Sequence, residues 1–85
     1  MNPARSPPVV IFTTPTCSWC RRAKQYLTEK HVAFREVDVS RDERSAREVV
    51  RMTGQTGVPV VLIGNQPVVG FDKPRIDHLL RLNLN

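Results

Sequence analysis

The chain reads as a small α/β domain, a four-stranded mixed sheet with helices on both faces and its elements in the order βαβαββα. Three observations lead there. Apolar runs of strand length, at residues 9–12 and 58–63, are separated by stretches whose apolar residues recur at helical spacing. An opening β-α-β unit implies parallel strands joined by a right-handed crossover. Gly64-Asn65, set between two apolar runs, is the mark of a tight antiparallel hairpin. With 85 residues, 40% of them hydrophobic, the chain has material for one core and not for two.

Taken in order, Val9-Val10-Ile11-Phe12 is too short for a stable helix and reads as a buried strand, which Pro15 prevents from continuing far. From Ser18 to about residue 30, Ala23, Tyr26 and Leu27 follow helical spacing, which puts Cys17 at the N-cap and Cys20 in the first turn. Residues 32–39 are rich in β-branched and aromatic side chains and form a second strand, only partly buried because Arg35, Glu36 and Asp38 interrupt it. Ser40-Arg41-Asp42-Glu43 has the S-x-x-E form of a capping box. A helix capped by Ser40 is therefore expected, with Ala46, Val49 and Val50 inward and Gly54 as its stop. Residues 58–63 carry one proline near the start, where a strand tolerates the missing N–H, and the hairpin then leads into a strand over residues 66–69. Asp72 caps a last helix with Pro74 in its first turn and Ile76, Leu79 and Leu80 facing the sheet.

Residues 1–8 contain three prolines and no apolar signal-peptide core, so they read as a loose leader to a domain over 9–85. No stretch is apolar and long enough to span a membrane, so no membrane partner is expected. The net charge of +5 owes most to arginine. Arg41, Arg44, Arg47 and Arg51 recur at roughly helical spacing, but Asp42, Glu43 and Glu48 are interleaved and aromatic residues are missing. The pattern is that of a solvated helix face, and no nucleic-acid partner is expected. The size suggests a monomer.

Cys17-Ser18-Trp19-Cys20 holds the only two cysteines. Two thiols this close cannot staple a fold, which argues for a reducing, cytoplasmic setting and for a pair that cycles between dithiol and disulfide. The rival is half of a zinc site. His31 and His78 lie far apart, without a second C-x-x-C or a paired-histidine spacing, so no metal is expected. Only a thiolate attacks a disulfide, and an ordinary thiol is about 3% ionised at neutral pH. Cys17 at a helix N-cap faces unpaired N–H groups and the positive end of the helix dipole, and Arg21, Arg22 and Lys24 add thiolate-stabilising charge nearby. Cys17 is thus the expected nucleophile and Cys20, one turn further in, the resolving thiol. Trp19, between them, is expected to be exposed over the thiols, and Thr14, Thr16 and Gln55 are polar neighbours of the site.

Residues 12–20 (FTTPTCSWC), then Gly57-Val58-Pro59, then Gly70-Phe71-Asp72, resemble the three signature segments of the glutaredoxin family and of its NrdH-type redoxin relatives. The resemblance implies a thioredoxin fold in which a cis Val58-Pro59 loop and the Gly70-Phe71 turn border the thiols. It implies a thiol-disulfide oxidoreductase acting on disulfide-containing proteins, with a redox-active Cys17-Cys20 disulfide and no permanently bound cofactor. Trp19, Val58, Pro59, Gly70, Phe71 and Asp72 become the substrate-binding residues, Val58 through backbone pairing with an extended substrate segment. Glutathione users in the family commonly carry a lysine, a threonine and a glycine where this chain has Thr14, Gly57 and Val69. Gly70-Phe71 followed by Pro74 is closer to the G-F-x-P turn of NrdH-type redoxins, with one residue more than that pattern. Thioredoxin reductase is therefore the expected reductant, with glutathione the alternative. Ser18 replaces the proline that usually follows the first cysteine. Some family members without it bind an iron-sulfur cluster with glutathione as co-ligand, which is a further alternative.

Overall fold

The computed structural model describes residues 7–81. Residues 1–6 of the expected leader lie outside the described residues. Pro8 is tied down, its carbonyl accepting the Gly64 N–H at 2.9 Å. The elements run β1 (Val9–Thr13), α1 (Ser18–Glu29), β2 (Arg35–Asp38), α2 (Glu43–Thr53), β3 (Val60–Ile63), β4 (Gln66–Val69) and α3 (Lys73–Leu80). The sheet order is β2-β1-β3-β4, with β1 parallel to β2 and antiparallel to β3, and β3 antiparallel to β4. The expected order and the thioredoxin-like fold are both present.

Period-two alternation divides the core between two faces of the sheet. Val9 and Ile11 of β1, Val61 and Ile63 of β3 and Val68 of β4 pack with Ala23, Tyr26 and Leu27 of α1 and Ile76 of α3. Phe12 and Val60 point the other way and meet Val49 of α2, with Val10, Val37, Leu62 and Met52 around them. Helices α1 and α3 therefore cover one face and α2 the other. Ile11, Leu27, Val61 and Ile76 are fully buried, each contributing about 1.5–3 kcal/mol over an exposed position.

The structure corrects several expected details. The second strand begins at Arg35 rather than Val32, because the Val32 N–H is used in closing α1 on Leu27 O (2.9 Å), and β1 has partners only for Arg35 to Asp38. His31, at φ 61, provides the left-handed residue of that closure without a glycine. The N-cap of α2 is Asp42, not Ser40: the Asp42 carboxylate accepts the Arg44 and Ser45 N–H groups, while Ser40 folds back on Asp38 through its N–H (2.9 Å) and hydroxyl (2.6 Å). A carboxylate two residues downstream outcompetes a hydroxyl that already has an acceptor. The inward stripe of α2 consequently runs through Val49 and Met52, and Val50 is 41% exposed. Gly54 ends α2 at φ 80, as its position suggested. Strand β3 starts at Val60, beyond the proline that has no N–H to give a ladder.

Asp42→Ala should lower the melting temperature by roughly 4–8 °C, the usual effect of losing a cap from a domain of this size. Ser40→Ala should lower it by less than half as much; equal losses measured by circular dichroism would restore Ser40 as the cap.

Candidate active site

Strand β1 carries the chain to one end of the sheet, where Thr14-Pro15-Thr16 turns it into α1. The Cys17 N–H closes that turn on Thr14 O at 3.4 Å. Cys17 is the N-cap of α1, with extended backbone (φ −92, ψ 112), and its Sγ accepts the Cys20 N–H at 3.1 Å. A helix N-terminal N–H pairs better with a negatively charged acceptor than with a neutral one. Cys17 is half-buried and its thiol donates to Val58 O at 3.9 Å. Cys20, one turn inward, is only 1% exposed. Burial pushes its thiol up to about 12 and the Cys17 sulfur adds to the rise, while the Thr14 backbone and the Lys24 charge act in the opposite direction. Both thiols are free.

The facing wall comes from segments about forty and fifty residues away. The Val58-Pro59 peptide is cis, as the resemblance implied, and Pro59 is buried. Its carbonyl accepts the Gly70 N–H at 2.8 Å, which joins the proline loop to the turn after β4; Gly70 makes that turn at φ 78, where a side chain would be strained. Together Trp19, Val58, Pro59, Gly70 and Phe71 line a groove of ≈ 280 Å³ beside the thiols. Trp19 is 55% exposed, so its ring is not part of the core. Phe71 serves both purposes, lining the groove and packing on the core with its ring 5.6 Å from that of Tyr26.

The other expected residues lie elsewhere. Asp72 is the N-cap of α3, accepting the Arg75 N–H at 3.3 Å, and does not line the groove. Arg21 is exposed, and the Arg22 guanidinium lies 5.0 Å over the Trp19 ring. Lys24 is bound to Glu36 at 2.9 Å, and the charge it retains is felt at Cys20. Thr14 joins the site through its backbone, Thr16 is exposed, and the Gln55 carbonyl accepts the Thr53 hydroxyl at the exit of α2.

Thr13 and Glu36 were not singled out by the sequence. The Thr13 hydroxyl, 1% exposed in all, donates to Glu36 Oε2 at 2.7 Å, so the carboxylate that holds Lys24 is itself held from the sheet. The bonds from Lys24 and Thr13 keep the Glu36 carboxyl below its usual range. The available signal was a threonine ending an apolar run just before the thiol turn. Among the described residues no three His, Cys, Asp or Glu side chains come together to hold a metal ion.

A dithiol at a helix N-terminus, faced by a cis-proline loop at one end of this sheet, defines a redoxin of the thioredoxin superfamily. The family model of the glutaredoxins matches residues 9–68. A glutaredoxin-like 8.6 kDa protein from the rubredoxin operon of Clostridium pasteurianum is 40% identical over 72 residues, covering 85% of this chain and 96% of its own. A glutaredoxin of Pseudomonas aeruginosa is 44% identical over 66 residues, covering 78% and 79%. Among solved structures, the glutaredoxin-like NrdH-redoxin of Escherichia coli superposes with a TM-score of 0.75 at 26% identity, covering 85% of this chain and 93% of that one. The chain belongs to the glutaredoxin family, as a glutaredoxin-like redox protein with a Cys17-x-x-Cys20 motif.

Iodoacetamide added to the reduced native protein at neutral pH should label Cys17 and leave Cys20 unlabelled until urea is present, as read by peptide mass spectrometry. The raised Cys20 value also sets a stability trend. The folded thiol keeps its proton up to about 12, whereas an unshifted thiol loses it near 9, so this contribution is complete below pH 9 and declines as pH rises above it. Urea denaturation of the reduced protein should show a steeper loss above pH 9 than the Cys20→Ala variant; parallel curves would contradict it.

Proposed function

We propose that this protein reduces protein disulfides through Cys17 and Cys20 and is itself re-reduced by a flavoprotein of the thioredoxin reductase type. The observation that carries the redox part is the unequal setting of the two sulfurs, one half-buried at the groove and the other sealed beneath it. The Cys17 thiolate attacks one sulfur of the substrate disulfide, that S–S bond breaks, and the first substrate thiolate leaves. Cys20 then loses its proton and attacks Cys17 Sγ in the mixed disulfide, releasing the second substrate thiolate. Two electrons have passed to the substrate, the released thiolates take up protons according to their own pKa values, and the Cys17-Cys20 disulfide remains for the reductase. Val58 supports substrate binding in this reading: its backbone borders the thiol and suits pairing with an extended segment.

The choice of reductant rests on the groove. None of its five lining residues is charged, whereas glutathione carries two carboxylates and an ammonium group. Thr14, Gly57 and Val69 replace residues with which glutathione users of the family hold that tripeptide. The NrdH-redoxin that this chain resembles is described as having a thioredoxin-like activity profile. One chain carries both thiols and the groove, which suits action as a monomer, and a cytoplasmic setting would keep the pair reduced. Among the described residues no helix is long and apolar enough to cross a membrane.

In an NADPH-coupled assay, thioredoxin reductase should sustain reduction of a protein disulfide at least about tenfold faster than glutathione with its reductase. Faster turnover with glutathione would reverse the assignment of the reductant and leave the dithiol chemistry standing. Cys17→Ser should lose about 10³-fold or more in either system, since no other accessible sulfur can form the covalent intermediate.

A further inference from the structure

Beyond Phe71 the surface opens into a second cleft, between α1 and α3, of ≈ 440 Å³. Phe71 lines both depressions, so the cleft adjoins the thiol groove. From Cys17 to Tyr26 the helix rises roughly 13 Å, which an extended chain covers in about four residues.

Three cations in or beside this cleft rest on aromatic rings. Arg22 lies 5.0 Å over Trp19, and Lys73 and Lys30 lie 5.1 Å and 5.7 Å from the centre of the Tyr26 ring. Among the described residues none of these three has a carboxylate within ion-pair distance, whereas Lys24, Arg41, Arg47 and Arg51 each do. Glu29 also lines the cleft, where it accepts from Gln25, and Asp77 accepts from the Tyr26 hydroxyl, so three cations stand against two carboxylates. A cation resting on an aromatic ring keeps its full charge, and at an exposed site a carboxylate readily shares or replaces that contact.

Building on the proposed disulfide reductase activity, we infer that this cleft receives acidic side chains of a protein substrate, about four residues from the cysteine whose disulfide lies in the thiol groove. The groove, being uncharged, accepts the segment around the disulfide, and the cations on the rings select by charge. Charge complementarity of this kind acts chiefly on encounter and is screened by salt.

The test uses two peptide disulfides that differ only in carrying Glu or Gln at the third to fifth residues from the cysteine. At about 20 mM salt the acidic peptide should have a kcat/KM about five- to tenfold higher, and at about 500 mM the ratio should fall below about two. In the Lys30→Gln, Lys73→Gln double variant the ratio should approach one already at low salt. Because each ratio is taken within one protein, a general loss of activity does not alter it. Equal turnover of the two peptides, or a preference that the double variant keeps, overturns the inference and leaves the reductase reading intact. Turnover of neither peptide overturns both.

Discussion

The first N–H groups of α1 have no carbonyl to meet within their own helix, and the site is organised by what stands in front of them. Cys17 Sγ takes the Cys20 N–H, so the first sulfur is fixed at the helix mouth. Cys20 is then necessarily one turn inward, on the face of α1 that carries Ala23 and Leu27 to the sheet. One local geometry thus exposes one sulfur and seals the other. The seal makes Cys20 a poor acid, and in the proposed reaction it would stay out of competition for substrate until its proton is removed. Lys24, held by Glu36 and through it by Thr13, is a positive charge that acts against the rise in the Cys20 pKa.

The topology supplies the opposite wall. Strand β3 runs antiparallel to β1 with Val60 opposite Phe12, so β3 begins at the end where β1 finishes. Strand β4 turns back with Val69 opposite Val60 and ends there too. The Val58-Pro59 loop and the Gly70-Phe71 turn are therefore carried to the thiols by strand register alone. The Gly70 N–H bond to Pro59 O ties them together. A four-stranded sheet covered on both faces gives this small chain a rigid floor under a groove that is otherwise built from turns.

Much of this was legible in the sequence because period and punctuation agreed. Val9 to Phe12, the apolar spacing after Cys17, and Gly64-Asn65 each admit one local structure, and the order of elements follows from them. Where two residues competed for one role, the pattern alone misled. Ser40 and Asp42 are both good caps, and only the position of Asp38 decides between them. Val50 fits a helical stripe as well as Met52 does, until α2 is rotated onto Phe12 and Val60. Charged residues near the thiols in sequence were still less readable. Arg22 and Lys24 lie two and four residues beyond Cys20, yet one rests on Trp19 and the other reaches across to β2. Glu36 and Thr13 became visible only once parallel pairing set β2 beside β1.

The division of labour between the two sulfurs is the claim on which the account stands. Intact-mass spectrometry of Cys20→Ser and Cys17→Ser, each mixed with an equimolar peptide disulfide, tests it most directly. The account predicts that Cys20→Ser accumulates a single peptide adduct on Cys17, because the thiol that would release it is gone, and that Cys17→Ser acquires almost none. Comparable adducts on both variants, or an adduct on Cys20 alone, would contradict it.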